Sequence, residues 1–255
     1  MSAPRGTLYL VPNTLDFGTG ESGADLGERL PLGVLRIAAR LGHWVAENAK
    51  TTRAFLKRVD ARSALAMPLQ QVSIVELPRP PKGRAEVVPD DFARMLAPAI
   101  AGNDLGLLSE AGLAALADPG ARLVAAAHAA GLRVVALPGA SSIALAIAAS
   151  GLNGQSFAFV GYLPIEAAAR SARIRELETA SRRQDQTQVM IETPYRNPAL
   201  LAALVAELQP ATRLSVSVGL TLASEATRSD SVARWRAAPS ALPADVPAVF
   251  SFLAR

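Results

Sequence analysis

The sequence predicts an α/β fold made of two lobes. Short apolar segments typical of β-strands alternate with amphipathic helical patterns through most of the 255 residues. Loops rich in small residues follow several of these strands, which is typical of α/β proteins that bind ligands at strand ends. Glycine and asparagine at 151–155 indicate a linker. We therefore expect an N-terminal α/β lobe at residues 1–150 and a C-terminal α/β lobe at residues 151–255, each with about five strands.

Hydrophobic periodicity predicts the elements of the first lobe. The predicted strands are residues 7–11, 44–46, 72–77, 105–108 and 134–137. Helices are predicted at residues 32–41, 50–59 and 141–150, with a further helix that presents Phe92, Leu96 and Ile100. Asp118 and Pro119 form a cap-plus-proline pair and predict the start of another helix, which Gly131 ends.

In the second lobe the same reasoning predicts strands at residues 157–162, 188–192, 214–218 and 249–253. A charged helix is predicted at residues 166–178. Asn197 and Pro198 repeat the cap-plus-proline pattern before a leucine-rich helix. The lobe therefore combines strands and helices in the same way as the first.

Composition excludes several classes of site. The chain has no cysteine and two histidines, His43 and His128, so it has neither disulfides nor a thiolate or histidine-rich metal centre, and we expect no metal. The apolar run at the N-terminus stops at Pro12, and the apolar region at 123–152 is interrupted, so we expect a soluble cytoplasmic protein without a membrane segment. A net charge of +4 permits an RNA partner without requiring one.

Two segments, one rich in glycine and one rich in proline, resemble functional loops, but both are better interpreted as solvent-exposed loops without a binding role. Residues 18–23, GTGESG, match the dinucleotide-binding pattern G-x-G-x-x-G. The first strand has already ended near Pro12, and no helix follows directly, so a flexible loop is the favoured interpretation. The basic segment at 78–84, PRPPKGR, is expected to be a solvated loop.

Two small-residue loops, at 110–120 and 138–142, come just after neighbouring strands, where open α/β sheets bind ligands. Gly112 and Gly139 would let the main chain approach a ligand closely, and the hydroxyls of Ser141 and Ser142 can bind a carboxylate or a ribose. The alternative is that these loops are turns whose small residues allow tight packing.

Three further segments place charged side chains after strands. In IETPYR, Glu192 could act as a base, Tyr195 could stack on a ring and Arg196 could bind an anion, or Glu192 and Arg196 could form a structural ion pair. Glu225 has the same two interpretations. Glu47, followed by Arg53, could line the sheet edge or mark an exposed helix start.

Eight segments in order resemble the tetrapyrrole methylase superfamily of S-adenosylmethionine (SAM) methyltransferases, and most closely the branch that methylates a cytidine ribose 2′-hydroxyl in small-subunit ribosomal RNA. They are LYLVP, AENAKTTRAFL, LLSEAGLAALADPG, VVALPGASS, ASGL, FAFVGYLP, IETPYRNPALL and LTLASE. The resemblance implies two α/β lobes with a SAM cleft between them and a homodimer. It implies cofactor contacts from Leu10, Val11, Gly112, Leu113, Leu116, Ser141, Ser142, Ile191 and Gly219.

The chain also departs from the family pattern. Leu113 and Ala114 stand where the family has Thr and Pro, Tyr195 stands in place of His, and Leu222 stands in place of Lys. The C-terminal helical segment of the longer relatives is expected to be missing, as in a divergent paralogue. Main-chain contacts to a cofactor tolerate such changes better than a substrate site does, so the resemblance supports SAM binding more strongly than it supports RNA as the acceptor.

Three hypotheses about function follow. The first is a SAM-dependent methyltransferase that acts on RNA or another nucleotide-containing acceptor, with Glu47, Glu192 and Glu225 as candidate bases and Arg53, Tyr195 and Arg196 as substrate-binding residues. The second is methylation of a tetrapyrrole or small molecule. The third is a relative that binds SAM without turnover. The absence of the family's Thr and Lys at Leu113 and Leu222 supports this hypothesis.

Overall fold

A computed structural model describes residues 4–16, 25–78 and 92–255. The chain divides into two compact units, Met1–Ala140 and Ser141–Arg255. The glycine motif at 18–23 and all but the first residue of the proline-rich segment at 78–84 lie outside the described residues. The division falls one helix earlier than the linker predicted at 151–155, because the helix at 142–150 packs against the sheet of the second unit.

The first unit contains a five-stranded parallel sheet. Its strands are β1 (Thr7–Val11), β2 (His43–Ala46), β3 (Ser73–Glu76), β4 (Leu105–Leu108) and β5 (Arg133–Ala136). They lie in the order β3-β2-β4-β1-β5, and every pair is parallel. Because parallel strands end at one edge of a sheet, the loops that follow them can form one site there.

Helices cover both faces of this sheet. They are α1 (Leu26–Arg29), α2 (Leu32–Arg40), α3 (Ala49–Asp60), α4 (Phe92–Ile100) and α5 (Ala121–Ala129). Successive residues of a strand point to opposite faces, so Trp44 packs in one buried cluster, with α2 and α3, and Val45 packs in another, with α4 and α5. All four residues of β4 are buried, as expected for a central parallel strand.

One close contact in this sheet allows a stability prediction. A β-carbon on Gly106 would lie 2.6 Å from the Trp44 ring, so Gly106→Ala should lower the free energy of unfolding by about 1–3 kcal/mol. Gly33 is the matched control, since an added β-carbon meets nothing within 4 Å. Gly33→Ala in helix α2 should raise stability by about 0.5–1 kcal/mol. Urea denaturation measures both, and a Gly106→Ala variant as stable as the parent would contradict the packing described.

The prediction that Asp118 and Pro119 start a helix is wrong. Helix α5 begins at Ala121, and its N-cap is Gly120, which has a φ of 129°. Ala115 and Ala117 also have positive φ, so the chain makes tight turns before the helix begins. These turns place the Asp118 carboxyl next to Ser109 instead of at the helix start. The end of the helix before Gly131, whose φ is 67°, is confirmed.

The second unit has a mixed five-stranded sheet. Its strands are β6 (Phe157–Tyr162), β7 (Thr187–Ile191), β8 (Arg213–Val218), β9 (Ala226–Ser231) and β10 (Ala248–Leu253). They lie in the order β6-β7-β10-β8-β9, with β6 and β7 parallel and the other pairs antiparallel. Strand β9 was not predicted, because its sequence, ATRSDS, has no apolar run and it pairs only at the sheet edge.

Four helices pack in this unit: α6 (Ser142–Ser150), α7 (Ala167–Gln184), α8 (Asn197–Glu207) and α9 (Val232–Ala237). Helix α6 buries Ile143 and Ile147 against Val189 and Val249 of the second sheet. This packing is why the residues at 142–150 belong to the second unit. The other face of the sheet, with Phe250, packs against α7, α8 and α9.

The pattern Asn197-Pro198 predicted that Asn197 caps helix α8, but it does not. A 3₁₀ turn, Pro194–Arg196, leads directly into the helix, so Asn197 is already helical. Its side-chain amide instead donates to the carbonyl of Val246, at 3.0 Å. Glu166 does cap helix α7, since its carboxylate accepts from the amides of Ala168 and Ala169. Across residues 4–16, 25–78 and 92–255, the helices are too short or too polar to cross a membrane.

Candidate functional site

A pocket of about 560 Å³ lies within the first unit, where β1 and β5 end. Three of the residues predicted to contact the cofactor, Leu10, Leu113 and Leu116, line it. The remaining lining residues are Ala114, Ala136, Leu137, Pro138 and Gly139. The volume is in the range of small-molecule sites, and the lining is apolar, which suits a ligand with a planar ring.

Close main-chain packing shapes this pocket. Gly139 approaches the first strand so tightly that a β-carbon there would lie 2.3 Å from Cβ of Pro12. Gly112 has a φ of 66°, and its carbonyl accepts from the amide of Asn13 at 2.8 Å. The Asn13 side chain donates to the carbonyl of Glu110 at 2.9 Å. The loops after β1 and β4 are therefore tied together.

Val11 contributes differently from the other predicted cofactor residues of this unit. Its side chain is fully buried in the core that contains Trp44 and Leu108. Any contact of Val11 with a ligand would therefore come from its main chain.

Arg53, predicted to bind substrate, is exposed on α3, where one of its guanidinium nitrogens donates to the carbonyl of Ala49.

The carboxyl groups of Glu47, Glu110 and Asp118 follow β2 and β4 and lie near enough for their charges to interact. Burial and the neighbouring charges of Glu47 and Glu110 raise the pKa of Asp118 to about 7, against the lowering effect of a hydrogen bond with Ser109. Thr51 donates to Glu110 at 2.7 Å. A carboxyl group with such a pKa can exchange a proton near neutral pH. Sequence analysis singled out Glu47 but missed Glu110 and Asp118, because Asp118 was interpreted as a helix cap.

Ser141 and Ser142 lie at the start of helix α6 in the second unit, and both are half-buried. Ser141 is the N-cap, and its hydroxyl accepts from the amide of Ala144 at 3.4 Å. The first amides of a helix carry a partial positive charge, which suits a carboxylate or phosphate. The predicted role of these serines is compatible with this position.

Glu192 follows Ile191, the last residue of β7, and forms the ion pair that was one of its two predicted interpretations. Its side chain is 6% exposed and lies 2.9 Å from the Arg196 guanidinium. The amide of Thr193 also donates to Glu192, and Arg196 donates to the Thr193 hydroxyl. These contacts hold both charged groups in place, and their roles as base and anion clamp stay predictions.

The turn after β8 holds Gly219 and Glu225. Gly219 has a φ of 60°, and Thr221 also has a positive φ, of 71°. The amide of Thr221 donates to the Glu225 carboxylate at 2.6 Å, so this acid closes the turn. Leu222, in the place of the family's lysine, is buried near Gly219. Within the part of the chain that the structure describes, no cluster of three or more acidic or histidine side chains could hold a metal ion.

Fold and site define the class of the protein: two α/β units, the first of which has a ligand-sized pocket at the ends of parallel strands. The chain belongs to the tetrapyrrole (corrin/porphyrin) methylase family, whose model matches residues 28–234. The fold class expected from the sequence is thereby confirmed. Uroporphyrin-III-C-methyltransferase from Thermus thermophilus has the same fold, with 21% identity, a TM-score of 0.52, and coverage of 98% of this chain and 92% of that one.

Two curated relatives resemble the chain in sequence. Ribosomal RNA small subunit methyltransferase I of Micromonospora olivasterospora is 32% identical over 206 residues, which is 81% of this chain. The protein of the same name from Halalkalibacterium halodurans is 29% identical over 192 residues, or 75% of this chain. The chain spans 57% of the length of each of them. Similarity to the ribosomal RNA branch of the family, expected from the motifs, is confirmed.

Proposed function

We propose that this protein is a SAM-dependent methyltransferase whose cofactor binds in the pocket at the carboxyl edge of the first sheet. The observation that carries the proposal is that Leu10 lines one pocket together with Leu113 and Leu116, although about 100 residues separate it from the loop that carries them. Membership of a methylase family supports it.

The residues present fit SAM. The apolar walls formed by Leu10, Leu113 and Ala136 suit the adenine ring. Gly139, which also lines the pocket, packs so closely against Pro12 that a side chain would not fit there. The bound cofactor would supply a methyl group on a positively charged sulfur. We propose that Gly112 and Val11 contribute main-chain groups, and that Ser141, Ser142, Ile191 and Gly219 are the second unit's contacts.

The protein's own residues would mainly align the acceptor and exclude water, because transfer from a sulfonium is an in-line displacement. A hydroxyl acceptor also needs a group that takes its proton. Of the three predicted carboxylates, Glu47 is the one whose charge, with burial and the charge of Glu110, raises the pKa of Asp118 to about 7, where a carboxylate can take up a proton near neutral pH. We therefore place the proton acceptor in the group formed by Glu47, Glu110 and Asp118.

RNA is the acceptor we propose, and O-methylation of it the reaction, because the curated relatives are named as ribosomal RNA methyltransferases. Arg53 on α3 is exposed and could contact phosphates. An RNA acceptor of this kind would place the protein in the cytoplasm, and we propose that it acts as a homodimer.

A tetrapyrrole acceptor is the second candidate, since uroporphyrin-III-C-methyltransferase shares the fold. Binding without turnover is the third, since the family's lysine is replaced by the buried Leu222. Incubating the protein with labelled SAM and either RNA or a porphyrinoid separates the three. Label in RNA supports the proposal, label in the porphyrinoid supports the second candidate, and binding of SAM without transfer supports the third.

The first test of the proposed function is calorimetric titration of the protein with SAM and with its demethylated product. We expect micromolar binding of one ligand per protomer. A folded protein that binds neither ligand would overturn the proposal.

A further inference from the structure

Exposed apolar side chains are concentrated at one edge of the second sheet. Tyr162 ends β6, Ile165 follows it, and Tyr195 follows β7; they are 57%, 71% and 69% exposed. Strands β6 and β7 are parallel neighbours, with Tyr162 opposite Ile191. The three side chains therefore follow strand ends at the same edge, and we call them the aromatic edge. Exposed apolar side chains that lie together at one place on a surface are typical of binding sites.

The turn that carries Tyr195 is firmly held. The Tyr195 ring lies over the Arg196 guanidinium, whose central carbon is 5.5 Å from the ring centroid. Arg196 is fixed in turn by the ion pair with the almost fully buried Glu192 and by its bond to Thr193. A ring mounted on such a turn loses little conformational freedom when a ligand binds to it.

The segment after β6 is also held in place. Arg170 of helix α7 donates to the carbonyl of Ile165 at 2.9 Å, and Glu166 caps the same helix. The charges near the aromatic edge thus include both signs, because Glu166 and Glu192 stand beside Arg170 and Arg196. An occupant is therefore bound mainly by its planar rings and less by a field of positive charge.

Nucleobases are the planar rings that match this edge. Any of the four bases can stack on an exposed tyrosine, provided that one face of the base is free. Bases within a duplex are already stacked on both faces. We propose that the aromatic edge binds unpaired nucleotides of the RNA acceptor by stacking on Tyr195 and Tyr162. This inference rests on the proposed function and adds that the acceptor is single-stranded where it meets the second unit.

The test is fluorescence anisotropy with a labelled single-stranded RNA of about 15 nucleotides, and with the same RNA annealed to its complement. Tyr195→Ala should weaken binding of the single strand about 5- to 100-fold, which is the range for loss of one stacked base. Tyr162→Ala should act in the same direction. Tyr195→Phe, which keeps the ring, should bind within about 2-fold of the parent.

Phe157 provides a control at the other end of β6. It is 44% exposed, so Phe157→Ala removes an exposed aromatic ring outside the aromatic edge and should leave RNA affinity unchanged. The slope of log affinity against log salt should stay the same in Tyr195→Ala, because the variant loses no phosphate contact. A merely structural role of Tyr195 would change the unfolding midpoint instead.

Three results would overturn the inference. They are an unchanged affinity in both alanine variants, a parent protein that binds duplex as tightly as single strand, and an alanine variant that loses a homodimer rather than RNA affinity. Titration with SAM separates this failure from failure of the proposed function. If the parent binds SAM while the alanine variants bind RNA normally, only the stacking inference fails.

Discussion

Ala136→Trp should reduce the affinity for SAM by about 100-fold or more, which corresponds to about 2.8 kcal/mol. Ala136 ends β5 and is exposed where it lines the pocket, so an indole at this position fills the space that the adenine ring would occupy. Calorimetric titration with SAM measures the effect directly. Since the side chain does not lie in the core, the fold should tolerate the substitution.

Ala125→Trp is the matched control. Ala125 is exposed in the middle of helix α5 and does not line the pocket, so the same substitution there should leave SAM affinity within about 2-fold of the parent. If Ala136→Trp bound SAM as tightly as the parent, the cofactor would have to lie elsewhere on the protein.

The free energy of unfolding should fall as pH rises from about 4 to about 7, and Asp118 should be a main cause. Burial and the repulsion from Glu47 and Glu110 raise the pKa of Asp118 from 3.8 to about 7. In this window Asp118 keeps its proton in the folded protein and loses it in the unfolded chain, so stability falls as the pH rises. Asp118→Asn, which stays neutral, should flatten this part of the profile and be more stable than the parent above pH 7.

Glu47→Gln is the companion variant. It removes one of the negative charges that repel Asp118, so the pKa of Asp118 should decrease. The loss of stability should still begin at about pH 4, but it should end at a lower pH and be smaller in total. Urea denaturation at several pH values measures all three proteins. A parent profile that rises between pH 4 and 7, with no difference in Asp118→Asn, would contradict the environment described for this carboxyl group.

The strands of the first unit could be predicted because each has a short apolar run between clear turn residues, although β3 and β5 are only partly covered. Strand β4 is the best case, since Leu105–Leu108 is apolar and fully buried. Strand β9 shows the limit of this reasoning. Its polar residues form a strand because they pair with β8, the strand directly before it, and local periodicity does not reveal this pairing.

Capping patterns were less reliable than strand patterns. Asp118-Pro119 and Asn197-Pro198 have the same sequence signature, yet neither polar side chain caps its helix. In both places a tertiary contact competes for the side chain: Ser109 for Asp118 and the carbonyl of Val246 for Asn197. A local cap is worth about 1 kcal/mol, so contacts of this size elsewhere can displace it.

Part of the candidate site followed from motif order. The resemblance selected Leu10, Leu113 and Leu116, which line one pocket in the structure. The carboxyl groups of Glu110 and Asp118 were missed, because their proximity to Glu47 depends on the adjacent positions of β2 and β4 in the sheet. That order, in which β4 lies between β2 and β1, cannot be read from the local pattern of either strand.

The most direct test of the central claim is transfer of a labelled methyl group from SAM to RNA, followed by digestion of the RNA to nucleosides. We expect label in a 2′-O-methylated nucleoside with the parent protein and almost none with Ala136→Trp. Transfer that is equal in both proteins would contradict the location of the cofactor pocket. A parent protein that binds SAM but labels no RNA would contradict the proposed reaction.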